Sequence, residues 1–600
     1  MSFADDYRSL REAGQTDKAL ALAREVLPRL DGPTAARAGK WILRDLATEN
    51  PSQKPVRVLL LGQCTTQYLP PLLAAWAWHE GLILDIVDAE YDQILQTLLA
   101  QSEAPDLIVL LPWNQRLLAP GDRSPGARLA DELEFWRLCW NQIARLQCKA
   151  IQIGYDWTGP GGTGYSLSNR EGGDIALIRE MNRQLLSALP PGTYFVDVES
   201  ASASLGKHAF YDSRNHLLLR QPFSPDGLSL LARHVAAGIR ALTAGRRKVL
   251  ALDLDNTLWG GVIGETGPQG IAVGGTGLGE AFQLFQIQVK RLRETGILLV
   301  ALSKNNEEDA KAAFLENDRM VLKLEDFSAF RASWNGKPGE LRSVAKELNL
   351  GTDSFVYFDD NPAERAHMRA ELPEVLTIEA PEDPADFVAA LVEALPFETV
   401  GLTAADAERS RYYAEEQTRR EALTSSSSPE DYLRSLGMTA RCHALDSSNL
   451  DRVTDLVTKT NQFNLTTKRH SRAEIETFAG TPGSVCFAVE LADKFGDYGL
   501  IAVILALPEA EALRIDTWLM SCRAMGRTVE HFTLNEIARA GRTAGYQRLL
   551  AEYFPTAKNA PVASLLTSFG FSGDSPAELD LTSFTPLPHH LTGPAVPPQA

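Results

Sequence analysis

Six hundred residues are too many for one hydrophobic core and imply three or four domains. With 44% apolar residues, 23% charged residues and a net charge of −18, the chain has the make-up of an ordinary soluble globular protein, which argues against nonspecific binding to nucleic acid or anionic membrane. No apolar run reaches the ~20 residues that a membrane helix needs, and the polar, acidic start MSFADDYRSLREAGQ is unlike a signal peptide, so a cytoplasmic location is expected.

Residues 1–50 alternate apolar and charged positions at helical spacing, as in DKALALAREVLPRL, and read as a structural segment of two or three helices. Residues 51–245 read as an α/β domain on a parallel sheet. PVRVLLLGQCT begins it, and LILDIVDA, DLIVLLPW, AIQIGYDW and TYFVDVES are further strands. Cys64 follows the first strand at a predicted helix start, where the helix N-terminus favours thiolate. Two readings stand: an acyl-accepting thiol, or a small residue that only packs. The turn is similar to that of SGNH-type hydrolases, with Gly-Gln-Cys where those have Gly-Asp-Ser. Asp212 and His216 in YDSRNHL are one residue too far apart for the Asp-x-x-His of those enzymes, and His216 is the candidate base for Cys64. The cysteines form no CxxC pair or compact framework and read as reduced thiols.

The capped helix PFSPDGLSLLARHVAAGIRALTAGRRK runs into a Gly-Arg-Arg-Lys segment, read as a hinge between domains. Residues 246–395 then form a second α/β unit. KVLALDLDNTLWGGV is a short apolar strand that meets Asp253 and Asp255 as it opens into a Gly-Gly turn. Burying Asp253 there is costly unless a cation or hydrogen-bond donors meet it, although an ordinary strand end with solvated acids looks the same in sequence. GILLVALSKNN ends in Ser303, SWNGKP sets Lys337 in a loop, and SFVYFDDNPAER ends in Asp359 and Asp360. Ligands of open α/β sheets bind beyond the carboxyl ends of the strands. The four stretches therefore converge on one crevice suited to Mg²⁺ and a phosphoryl group. The glycine-rich GETGPQGIAVGGTGLGEAF is too short for a large cap domain and predicts a site open to a bulky or protein-bound substrate.

The order acid, hydroxyl, lysine, acid resembles the haloacid dehalogenase (HAD) superfamily of phosphohydrolases. DLDNTLWGGVIGE, SKNNEEDA, DDNPAER and TNQFNLTTKR narrow the resemblance to its FkbH-like branch, over nearly the whole chain. The resemblance implies Asp253 as nucleophile and Asp255 as proton shuttle. It implies Mg²⁺ held among Asp253, Asp255, Asp359 and Asp360, and a substrate held by Ser303, Lys337, Asn256 and Thr257.

Residues 402–436 read as helices, with SSSSPEDY a loop ending in an N-cap. Residues 396–580 as a whole read as an α+β domain. VCFAVELADKFGDYGLIAVILAL is a hairpin, and IDTWLMSCRAMGRTVEHF is a strand, a turn and a helix. That turn resembles the CoA-binding turn of GNAT acyltransferases, with Thr528 in place of a glycine, and NAPVASLLTSFGF resembles their closing segment. Arg523, Gly526 and Arg527 are the candidate holders of a phosphopantetheine arm, and Cys522 is a rival thiol to Cys64. The Pro-rich end, 581–600, reads as a flexible tail. No repeat of solenoid spacing is present.

The expected architecture is thus multidomain α/β: an SGNH or flavodoxin-like parallel sheet, a HAD Rossmann-like domain and a GNAT-like α+β domain. The FkbH-like resemblance implies a glyceryl transferase/phosphatase acting on D-1,3-bisphosphoglycerate, with an acyl carrier protein receiving the glyceryl unit. The alternatives are a stand-alone Mg²⁺-dependent phosphatase and a noncatalytic carrier-protein scaffold; the intact pair Asp253 and Asp255 argues against the last.

Overall fold

A computed structural model describes residues 3–49, 53–119, 123–158, 164–402, 428–460, 462–521, 524–556, 559–573 and 575–593. The chain divides into two compact units, Met1–Arg409 and Ser410–Ala600.

The first unit opens with three helices, Phe3–Glu12, Thr16–Val26 and Gly32–Glu49. Their apolar faces carry Tyr7, Leu20, Ala23 and Ile42 into one core with strand residues Val58 and Leu60. Five strands follow: β1 (Val56–Gly62), β2 (Leu84–Asp88), β3 (Leu107–Leu111), β4 (Lys149–Ile153) and β5 (Thr193–Val196). They form a parallel sheet in the order β2-β1-β3-β4-β5. Residues along β1 and β3 are buried on both faces, which is why these strands read as unbroken apolar runs. The sheet order reverses between β1 and β3, so the crevice of a doubly wound sheet opens where those two strands end.

The same unit holds a second parallel sheet: β6 (Val249–Leu252), β7 (Leu298–Ser303), β8 (Phe327–Ala332), β9 (Phe355–Phe358) and β10 (Leu376–Thr377). Its order is β10-β9-β6-β7-β8, and its reversal lies between β6 and β9. Leu252 of β6 is in register with Phe358 of β9, so Asp253 and Asp359 leave the sheet side by side. The glycine-rich segment after β6 forms a compact insertion closed by a bridge between Gly260 and Ala272, with Trp259 fully buried beneath it.

The Gly-Arg-Arg-Lys segment expected to be a hinge is clamped. Arg247 is 2% exposed and pairs with Glu80 at 2.8 Å, while Arg246 donates to the carbonyls of Phe397 and Thr295 at 2.9 Å each. Both sheets accordingly belong to one compact unit, a coupling that no local pattern around the arginines announces.

Of residues 402–436, where helices were expected, 403–427 lie outside the described residues, so the described part of the second unit begins at residue 428. Its strands are β11 (Thr439–Ala444), β12 (Phe463–Asn464), β13 (Val485–Asp493), β14 (Gly496–Glu509), β15 (Ala512–Met520), β16 (Arg548–Ala551) and β17 (Ala577–Asp580). The path β11-β13-β14-β15-β16-β17 is antiparallel except between β15 and β16, which are joined by the helix Val529–Thr543. The predicted hairpin is present: Asp493 Oδ1 accepts the N–H groups of Phe495 and Gly496 and closes the turn between β13 and β14. The end segment is held as far as residue 593, contrary to the flexible tail expected from its prolines. Leu587 exchanges hydrogen bonds with Asn535, and Leu591 is buried.

Candidate phosphoryl-transfer site

The end of β6 presents Asp253, which is 6% exposed, and the end of β9 presents Asp359, which is fully buried. Oxygens of Asp253, Asp359 and Asp360 lie within 4.8 Å of one another. Lys337, the first residue of the helix Lys337–Glu347, donates to Asp253 Oδ1 at 2.7 Å and to Asp359 Oδ2 at 2.6 Å. Tyr357 also donates to Asp359 Oδ2, and the Asn361 N–H reaches its Oδ1 at 2.8 Å. Burial pushes the Asp253 carboxyl up to about 7; Lys337 opposes this and the neighbouring Asp359 adds to it. Burial pulls the Lys337 ammonium down, but the two carboxylates outweigh it and the net shift is upward. Asp360 is also raised, by burial and then by Asp359.

Asp255 has a set of partners of its own. Its Oδ1 accepts from Trp259 Nε1 at 2.9 Å and from the Ile263 N–H at 3.1 Å, and its Oδ2 accepts from Asn305 Nδ2 at 3.0 Å. This corrects its place among the side-chain metal ligands: its carboxylate is engaged by three donors and stands outside the carboxylate cluster. Asn305 also donates to Ser303 Oγ at 3.1 Å, so Ser303, buried at the tip of β7, is tied to Asp255 through one amide.

Two expected substrate-binding groups serve the turn instead. Asn256 takes a left-handed conformation (φ 54°), and its Oδ1 caps the Gly261 N–H at 2.8 Å. Thr257, fully buried, exchanges hydrogen bonds of 3.2 Å with Asp360. Asn305, Tyr357 and Arg365 escaped the sequence reading. Arg365 donates to the carbonyls of Asp359 and Asp360 at 2.9 and 2.7 Å and holds the turn. Asn305 lies in the polar run after β7, where a signal was present; the other two sit inside stretches read for their neighbours.

Cys64 stands beyond β1, beside the residues that follow β3: the Trp113 N–H donates to Gln63 Oε1 at 2.8 Å. A Cβ at Gly62 would meet Thr66 Cγ2 and the Cys64 carbonyl at 2.5 and 2.8 Å, so the tight turn demands glycine. The helix expected at Cys64 begins only at Leu69, which removes the dipole argument for thiolate. The thiol is 1% exposed, and burial pushes its pKa well up. No hydrogen bond joins it to His216 among the described residues. His216 Nε2 instead accepts from Trp113 Nε1 at 3.2 Å, and burial followed by Arg220 lowers its pKa. In this conformation Cys64 is a packed thiol, and the His216 ring is engaged by Trp113. Asn114, unnoticed in the sequence, is 8% exposed beside this turn, and its Oδ1 has no hydrogen-bond partner among the described residues.

In the second unit, Arg527 is committed internally. It is 8% exposed, donates to the Tyr498 hydroxyl and lies 3.7 Å from Asp493. The Gly526 N–H is taken by Glu530 Oε1 at 2.8 Å, so a carboxylate of the chain occupies the place where an anion would bind. These contacts overturn the expectation that Arg527 and the Gly526 N–H hold a pantetheine arm in this conformation. Cys522 and Arg523 lie outside the described residues. No helix among the described residues is long and apolar enough to cross a membrane.

Residues 57–239 match the model of the family described as FkbH, N-terminal domain. Among solved structures, the N-terminal part of protein BF1531 from Bacteroides fragilis, which contains a phosphatase domain and was crystallised with Mg, is 31% identical. That match covers 60% of this chain and 99% of the Bacteroides one, with a TM-score of 0.55. A GNAT-family putative acetyltransferase from Desulfovibrio desulfuricans is 14% identical over 24% of this chain and 99% of its own, with a TM-score of 0.20. The ribosomal-protein-S18-alanine N-acetyltransferase from Escherichia coli is 12% identical over 23% of this chain and 80% of its own, with a TM-score of 0.19. A search of curated proteins returned no match.

Proposed function

The chain belongs to the FkbH-like family, and from that premise we propose a glyceryl transferase/phosphatase: it removes both phosphates of D-1,3-bisphosphoglycerate and delivers the glyceryl unit to the thiol of an acyl carrier protein. The observation that carries the phosphatase part is the cluster of buried Asp253 and Asp359 and half-buried Asp360 with Lys337 where the second sheet reverses. Three carboxylates face one ammonium there, and buried charge of one sign requires compensation. A divalent cation fits that deficit; Mg²⁺, present in the Bacteroides structure, is the metal we assign, with Asp253, Asp359 and Asp360 to hold it. When bound it supplies positive charge to the phosphoryl oxygens.

The residues divide the remaining work. Lys337 orients the Asp253 carboxylate and binds a phosphoryl oxygen. Asp253 attacks the phosphorus of the 3-phosphate, the ester P–O bond breaks, and Asp255 gives its proton to the departing alkoxide. Water then attacks the aspartyl phosphate while Asp255 takes its proton, and phosphate leaves. Trp259, Ile263 and Asn305 fix Asp255 for both transfers. At the 1-position a thiol sulfur attacks the acyl carbon, the C–O bond to phosphate breaks, and a thioester forms. Cys64, at the reversal of the first sheet, is the assigned first acceptor, and exchange onto the carrier thiol conserves the thioester. Because burial keeps the Cys64 thiol protonated, its proton passes to the departing phosphate as the C–O bond breaks. The second unit remains the assigned host of the pantetheine arm, without Arg527.

The packed Cys64 and the Gly526 N–H engaged by Glu530 favour a second reading, a stand-alone phosphatase of small phosphorylated metabolites. Intact-mass analysis of holo carrier protein after incubation with enzyme, Mg²⁺ and bisphosphoglycerate separates the two. A gain of one glyceryl unit supports transfer, and phosphate release with unmodified carrier supports the simple phosphatase. Asp253→Asn should abolish release of the ester phosphate, and Asp255→Asn should slow it by roughly 10²–10⁴-fold. Turnover near the parent rate in Asp253→Asn would refute the assignment of the nucleophile.

A further inference from the structure

Beside the Cys64 turn lies a surface that the chemistry above leaves unused. On the helix Ser213–Leu219, three consecutive leucines, Leu217, Leu218 and Leu219, are 71%, 68% and 42% exposed. Successive helical residues point about 100° apart, so the three leucines of this helix of about two turns spread apolar surface over most of its outer side. Contiguous exposed apolar patches mark interaction sites.

The helix is anchored at both ends. Asp212 caps it by accepting the Asn215 N–H at 3.0 Å. At its other end, the Leu219 carbonyl accepts from Thr65 Oγ1 at 2.6 Å and the Arg220 carbonyl accepts the Thr65 N–H at 2.9 Å. The residue after Cys64 is therefore stitched to the end of the leucine run. Residues 213–220 contain Arg214 and Arg220 and no carboxylate, in a chain of net charge −18. Tyr91, 44% exposed, lies within electrostatic reach of Asp92 and of Arg220.

We propose that the helix Ser213–Leu219 is the docking surface for an acidic amphipathic helix of the carrier protein, seated so that the carrier's thiol-terminated arm enters the crevice beside Cys64. The occupant is chosen by complementarity: an apolar stripe for the leucines, carboxylates for Arg214 and Arg220, and an arm for the adjoining crevice. The inference rests on the transferase reading for the identity of the partner.

The test uses the full chain, a fluorescein-labelled holo acyl carrier protein of net negative charge, and the double variant Leu217→Glu/Leu218→Glu. Arg214→Glu is the second variant, since these exposed positions can be changed without emptying a core. The expected result is a carrier Kd raised at least tenfold in both variants by fluorescence anisotropy, with transfer to free pantetheine and phosphate release within twofold of the parent. Equal carrier Kd in parent and variants overturns the docking surface and leaves the transferase reading intact. A parent dimer that the double variant converts to monomer, with carrier binding unchanged, assigns the patch to a second copy of the chain. A parent that neither binds the carrier nor loads any thiol overturns the transferase reading, and this inference with it.

Discussion

Asp253 and Asp255 are one residue apart and have different partners, Lys337 for the first and Trp259 and Asn305 for the second. The division of labour between nucleophile and proton shuttle is therefore kept by their separate hydrogen-bond partners. Asn305 is a positioning residue: it reaches the substrate's proton only through Asp255. Asn305→Ala should lower kcat for ester hydrolysis about 10–100-fold with little change in KM. Asn305→Asp should fail to restore it, because like charges would then face each other. An effect on KM alone would show that Asn305 only shapes the pocket. At this scale the sequence was half legible. Asp253, Ser303 and Asp359 could be placed because strand ends are readable from apolar runs, whereas Lys337, read as a loop residue, opens a helix. The partners of Asp255 could not be read, because they depend on Trp259 folding back four residues later. Arg527 was misread for the same kind of reason: its partners Asp493 and Tyr498 sit on a hairpin some thirty positions away, and a local charge carries no sign of a distant pair.

Among the elements, the segment around Thr466–His470, at the end of TNQFNLTTKR, is bound along β15. Thr466 Oγ1 donates to the Asp516 carbonyl at 2.8 Å, and both Lys468 and His470 reach the Asp516 carboxylate. Burial raises the pKa of Asp516, but the hydrogen bonds from His470 and Lys468 win and hold it at about 2. A folded-state pKa below the usual carboxylate value means that the unfolded chain takes up the proton first as pH falls. The contribution is complete above about pH 4 and is lost toward pH 2, and it amounts to no more than about 2 kcal/mol. Asp516→Asn should lower the urea midpoint at pH 5, with the gap to the parent closing toward pH 2.5. A gap that stays constant over this range would mean that the carboxylate charge is irrelevant. The strands β1, β3, β6, β7 and β9 were legible as apolar runs because they are largely buried, whereas β8, β10, β11, β12, β16 and β17 were not read from the sequence. The start of the helix after Cys64 was not legible, since the turn between Gly62 and Leu69 is set by close packing around Gly62 that no periodicity encodes.

Across the first unit as a whole, the two parallel sheets are locked by buried charge. Glu80 is held below the usual carboxylate range by Arg247 against the pull of burial, with Arg240 3.8 Å away. Tyr194 of β5 adds a 2.5 Å hydrogen bond to Glu398, beyond the second sheet. Arg247→Ala should destabilise the unit by about 3–5 kcal/mol, because it strands a buried carboxylate. Calorimetry of the full chain would register this as a lower Tm for the first unit. A Tm unchanged within a degree would mean that the pair carries no net weight. The clamp also decides how the gene can be dissected. A fragment ending at residue 245 keeps Glu80 with Arg240 but loses Arg247, its 2.8 Å partner, and one beginning at 248 discards Arg246, which meets the carbonyls of Thr295 and Phe397. Separate expression of the two halves would yield proteins that precipitate or cling to chaperones, whereas a cut placed in residues 403–427 spares every one of these bonds.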